Sequence, residues 1–181
     1  LPFLQFDSKD QSNLPGSRNG AAISTGKNGA VAADNPICSA LGVSVLRDEF
    51  NSTAADAAVA VVLCQGVLSP FASGLGGGFF ATIYNARNKT AYCLDAREVA
   101  PAAASPDLFL VPGSSARGGL SIAVPGELRG LYMLHQRFGN VKWEKLVNLV
   151  IPLAKESTVS PFLQVRLRQY IDVIKASESL K

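Results

Sequence analysis

The chain has 181 residues, 48% of them hydrophobic, which is enough for one domain with a real core and too apolar for a disordered chain. Seventeen basic and fourteen acidic residues leave a net charge of +3, scattered along the sequence, so a nucleic-acid footprint is not supported. The longest apolar runs, such as Ala57 to Leu63, fall far short of the roughly 20 residues of a membrane-spanning helix.

Residues 1–28 are rich in Ser, Asn, Gly, Lys and Asp without periodicity and are read as a flexible leader, ahead of a domain at 29–181. The start at Leu1, with no signal-like segment after it, reads as a processed product. Gly29 to Ala33 is a short strand candidate. Asn35 and Pro36 then suit the cap and first turn of a helix that carries Ile37, Leu41, Val45 and Leu46 at helical spacing and ends near 48–50. Thr53 and Asp56 have capping-box spacing, and the alanine-rich run behind them is apolar all round, so it predicts a buried helix that Gly66 and Pro70 end.

Four glycines in the five positions from Gly74 to Gly78 follow. A phosphate loop would close on Gly-Lys-Ser/Thr, whereas this cluster closes on Phe79 and Phe80. A dinucleotide fingerprint would put its last glycine at Phe79 and would follow a strand rather than a helix. The glycines are therefore read as backbone freedom between a buried helix and a buried strand, with close approach of a substrate left open. Residues 78–84 and 90–95 then form a hairpin about a turn at 85–89. Prolines at 101, 106 and 112 mark a loop, and Gly119 to Val124 reads as another strand. Glu127 to Phe138 reads as a helix closed by Gly139, Trp143 to Leu149 as another ending before Pro152, and Phe162 to Ala176 as an amphipathic segment carrying Val165, Ile171 and Ile174.

Candidate chemistry is sparse. Cys38, Cys64 and Cys93 lack zinc spacing, leaving open one disulfide with an odd thiol or three buried thiols. Asn51 and Asn88 begin N-x-[ST] sequons at element edges, where an acceptor for glycosylation would be accessible. Arg97, leaving the second hairpin strand, can hold a carboxylate by two parallel hydrogen bonds; alternatively it pairs with Asp95 or Glu98. His135 lies in a helix with no nucleophile elbow in the chain, and all five threonines are internal, so none has a free amine as its own base.

Blocks in order along residues 29–155 carry a resemblance: AVAAD at 30–34, DAAVA at 56–60, SGLGGG at 73–78, DAREVAP at 95–101, GLSIAVPGE at 119–127 and HQR at 135–137. Together they resemble the beginning of the large subunit of gamma-glutamyltransferase, also called gamma-glutamyl transpeptidase or glutathione hydrolase. The resemblance implies an α+β fold, the αββα sandwich of the N-terminal nucleophile hydrolases, only partly represented in this chain. Apolar faces of sheet and helix would then stand uncovered. It implies transfer and hydrolysis of γ-glutamyl groups from glutathione and its conjugates without a cofactor. The nucleophile would be the N-terminal Thr of a small subunit of the same precursor, with amino acids or dipeptides as acceptors.

In that family the arginine at the position of Arg97 binds the glutamyl α-carboxylate. The cysteines matching Cys38 and Cys64 form a disulfide in animal members, which implies a secreted or extracellular location. Glu49 to Thr53 makes a longer connection than the family's usual glycine turn. A secreted, non-catalytic homologue acting as a binding or decoy protein is the alternative, and an N-terminal nucleophile acylase for another amide a third.

Overall fold

The computed structural model describes residues 25–47, 51–116, 118–156 and 161–176. The chain divides into a unit at 1–30 and a unit at 31–181. Of the first, only residues 25–30 are described; they form no helix or strand and are exposed. Most of the expected leader lies outside the described residues, as do 48–50, where the first helix was expected to end.

The second unit begins with α1 (Pro36–Leu46). The Asn35 side chain accepts from the Ile37 N–H at 2.9 Å and Pro36 takes the first turn. Helix α2 (Ala54–Leu68) opens on the full capping box between Thr53 and Asp56. It does not end at Gly66. A Cβ there would lie 3.1 Å from Gly74 Cα, so the glycine lets the following loop cross α2, while the helix runs on to Leu68 and its Ser69 cap, stopping before Pro70 as expected. The structure joins Cys38 to Cys64, with Cα atoms 5.5 Å apart, and so ties α1 to α2; Cys93 is free and exposed.

The hairpin is β1 (Phe79–Asn85) against β2 (Thr90–Ala96), antiparallel, with Phe79 opposite Ala96 and Asn85 opposite Thr90. Alternation sends Phe79, Ile83 and Leu94 into the core and leaves Phe80 and Tyr84 about two-thirds exposed, at 66% and 65%. The turn closes with Lys89 in the left-handed region, φ 54°.

Two expected strands do not form. Residues 29–33 pair with no strand among the described residues, Ala33 bonding the Ser39 side chain instead, and Gly119–Ser121 is a short 3-10 turn. Only Val124 of that segment makes a ladder contact, an antiparallel bridge to Val99 with N–H···O distances of 3.1 and 2.8 Å. β-propensity without a neighbouring strand leaves the backbone groups unpaired, so the propensity is not expressed.

Helix α3 (Glu127–Phe138) has the expected bounds, and Leu131 and Leu134 enter the core. Helix α4 (Trp143–Glu156) passes through Pro152 instead of stopping before it. A proline near a C-terminus removes only one backbone hydrogen bond, and Leu146 and Val150 bury the preceding turns. Helix α5 (Pro161–Ala176) buries Leu163 but leaves Val165 and Ile171 exposed. Central α2 contacts α1, α3 and α4, and α3 contacts β2. The core is thus a set of helices against one face of a hairpin.

Asp56 sits where these helices meet. It is fully buried, and its carboxyl oxygens accept from the main-chain N–H groups of Thr53 (2.8 Å), Asn140 (3.0 Å) and Val141 (3.2 Å). The Thr53 hydroxyl bonds the Phe138 carbonyl at 2.8 Å. One capping box therefore fastens the start of α2 to the turn between α3 and α4.

Candidate active-site cleft

The glycine loop, the exit of β2 and the start of α3 enclose a cleft of ≈ 320 Å³ lined by Ser73, Gly74, Gly76 to Gly78, Arg97, Glu98 and Glu127, among others. Asp95 shapes the exit: its Oδ1 accepts the Arg97 N–H at 3.0 Å, turning the chain out of the strand. The Val99–Val124 bridge then carries Gly126 and Glu127 back beside Arg97.

The glycines hold this corner by close approach. A Cβ on Gly78 would lie 2.8 Å from Arg97 Cα and strike the Ala96 carbonyl, and one on Gly126 would lie 2.6 Å from the Arg97 carbonyl oxygen. The main chain at Arg97 is thus clamped between two glycines that no other residue could replace without displacing it. The Gly77 carbonyl accepts the N–H groups of both Gly126 and Glu127 at 3.0 Å, fixing the loop to the first turn of α3.

The Arg97 side chain is 54% exposed, and its Nη1 lies 3.2 Å from Glu98 Oε2. Of the two sequence alternatives, Glu98 takes the guanidinium and Asp95 only the main chain. The guanidinium is more than half exposed, so this pair contributes about 1 kcal/mol or less; Glu98 Oε2 is itself buried and makes no hydrogen bond.

Glu127, read from the sequence only as the start of a helix, is 2% exposed and forms a wall of the cleft. Burial pushes its carboxyl above the ordinary value, a hydrogen bond from the Gly74 main chain pulls it back, and the Glu98 charge pushes it up again. Its Oε1 is buried with no hydrogen-bond partner. The one sequence signal for it was an acid immediately after Pro125-Gly126, where glycine brings a helix start against a strand exit.

The remaining candidates lie elsewhere. Asn51 and Asn88 are exposed, the first at a left-handed position (φ 48°) and the second in the hairpin turn, and neither lines the cleft. His135 Nε2 meets the Val141 carbonyl at 2.5 Å beside Trp143, a structural post. Among the described residues no three His, Cys, Asp or Glu side chains are grouped to hold a metal ion, and no helix is long and apolar enough to cross a membrane.

The sequence model of the family described as Gamma-glutamyltranspeptidase matches residues 38–181. Scoloptoxin SSD14 of Scolopendra dehaani is 46% identical over 154 residues, covering 84% of this chain and 26% of that protein. Glutathione hydrolase 3 of Arabidopsis thaliana is 44% identical over 139 residues, covering 76% and 22%. Among solved structures, Helicobacter pylori gamma-glutamyltranspeptidase superposes with a TM-score of 0.76 at 32% identity, covering 88% of this chain and 47% of that one. The chain spans about a quarter of the length of these two curated relatives. Its mixed helix and sheet structure is part of the N-terminal nucleophile hydrolase fold of its structural neighbours.

Proposed function

The chain belongs to the gamma-glutamyltranspeptidase family, and from that premise we propose that it supplies the carboxylate-binding part of a site for γ-glutamyl transfer and hydrolysis. The observation that carries the reading is Arg97: its main chain is clamped between Gly78 and Gly126 while its half-exposed side chain lines the cleft, with Nη1 3.2 Å from Glu98 Oε2.

In this reading glutathione or a conjugate places its glutamyl α-carboxylate on Arg97 in bidentate fashion, displacing Glu98. The rest of the protein supplies a small subunit of the same precursor, whose N-terminal Thr attacks the γ-amide carbonyl with its own amine as base. The amide C–N bond breaks, the leaving amine takes the proton, and a γ-glutamyl ester remains. Water, an amino acid or a dipeptide then takes the acyl group. Arg97 acts through orientation: fixing the α-carboxylate fixes the distance at which the γ-carbonyl meets the nucleophile. The Cys38–Cys64 bond and the exposed sequons at Asn51 and Asn88 favour a secreted or cell-surface protein, glycosylated at those positions.

Arg97→Ala in the complete mature protein tests the reading. In the completed site, where bound donor and the rest of the protein cover the guanidinium, loss of a buried charge-paired carboxylate contact costs about 2 to 5 kcal/mol, so KM for glutathione should rise about 30-fold or more. An unchanged KM removes Arg97 from the site. Glutathione binding without any turnover by the unaltered protein would instead favour a non-catalytic binding role.

A further inference from the structure

We propose that Glu127 is the positioning residue of the cleft: it pegs the Gly74 to Gly78 loop to the start of α3, and through that loop sets Arg97 for a substrate carboxylate. The inference rests on the role given to Arg97 above and adds a second residue to it.

Glu127 grips the loop at two points three residues apart. Its main-chain N–H, with that of Gly126, donates to the Gly77 carbonyl at 3.0 Å, and its carboxyl sits where Gly74 crosses α2 at Gly66, with the Gly74 main chain favouring its charged form. Gly78, next along, presses on Arg97. A shift of the peg therefore reaches the guanidinium through one residue, and the glycines leave no side chain to absorb it.

The charge state of Glu127 belongs to the same device. A cleft that must accept a carboxylate already contains Glu98, and a second negative charge beside it would weaken binding. Glu127 Oε1 lies on the side of Gly66, toward an apolar cavity of ≈ 240 Å³ walled by Leu63, Val67 and Val150, where it has no partner. Such a surrounding favours the neutral acid over the charged one. The titratable or charged groups lining the cleft with it are Arg97 and Glu98; α2 and α4 present only Gly66 and apolar side chains to it around the cavity. As pH rises through its elevated value, Glu127 ionises next to Glu98, and affinity for the anionic donor falls.

The test is KM and kcat for a γ-glutamyl donor in the complete mature protein, from acid to mildly alkaline pH, for wild type, Glu127→Leu, Glu127→Gln and Arg97→Ala. Glu127→Leu keeps the main-chain bonds to Gly77 but removes the carboxyl's hold at Gly74, and should raise KM about tenfold or more with a smaller change in kcat, since misplacement of a binding group by an ångström is costly. Glu127→Gln keeps the acceptor for Gly74 and cannot ionise, so its KM should match wild type at acid pH and lose the wild-type rise with pH. Unchanged KM in Glu127→Leu, or a wild-type rise in Glu127→Gln, overturns the proposal. If Glu127→Leu does not fold, the pH profile of Glu127→Gln decides alone. Arg97→Ala separates the two readings: a raised KM there with wild-type behaviour in both Glu127 variants sinks only the positioning role, whereas an unchanged KM there sinks the donor site itself.

Discussion

Two buried acids stand in the first turns of neighbouring helices and meet different fates. Asp56, in the first turn of α2, is fully buried and takes three main-chain N–H groups from two parts of the chain. Glu127, at the first position of α3, is buried almost as completely and keeps one oxygen without a partner. Burying a polar group is tolerated where hydrogen bonds replace water, so Asp56 is a satisfied joint of the scaffold. The unsatisfied acid lies where a glycine loop, an arginine and a second acid converge on a cleft. At these two acids, saturation of hydrogen bonding, more than burial, separates a joint of the frame from a wall of the candidate cleft.

Breaking the saturated side should produce the largest effect on stability. Asp56→Ala strands the N–H groups of Thr53, Asn140 and Val141, and at about 1 to 3 kcal/mol for each buried unsatisfied group the loss should reach at least about 3 kcal/mol. Urea unfolding of the complete protein measures it, and a loss under about 1 kcal/mol would mean that water replaces the carboxyl at this joint. Next in size is the bond between Cys38 and Cys64, which lie 26 positions apart. On the chain-entropy account, replacing both by serine should lower stability by about 3 kcal/mol. Because the pair belongs to the helical frame, KM for a γ-glutamyl donor should stay unchanged; a KM that moves with it would join frame and cleft and dissolve the contrast.

The frame was more legible in the sequence than the cleft, for physical reasons. Asn35, Thr53 and Asp56 announce helix starts because capping is a contact within a few residues. The hairpin and α3 follow from local periodicity in the same way. What local pattern misjudged depends on distant neighbours: Gly66 is there for the close crossing of Gly74 and does not stop the helix, α4 survives Pro152 because its buried face precedes the proline, and of residues 119–124 only Val124 meets a neighbouring strand-like segment. Arg97 was legible as a candidate for carboxylate binding by its chemistry and by the resemblance, and it does line the cleft. Glu127 was not, because an acid opening a helix is ordinary. Its burial against Gly66 and Gly74 exists only once the loop has crossed α2.

The finest test of the contrast is the pH dependence of stability in Glu127→Gln, the variant that alters the unsaturated acid least. In the folded protein burial holds the Glu127 proton more tightly than in the unfolded chain, where the ordinary value is 4.5. Its contribution to stability is therefore whole below that value and is lost as pH rises through the elevated folded value. Glutamine has no proton to lose and suffers no such decline. The difference in Tm between the variant and wild type should accordingly be near zero in acid and should grow in the variant's favour as pH rises through the folded value. A flat difference would mean that folding leaves Glu127 as well solvated as the unfolded chain does. The cleft acid would then be stabilised as fully as Asp56, and unsatisfied burial would no longer distinguish the site from its frame.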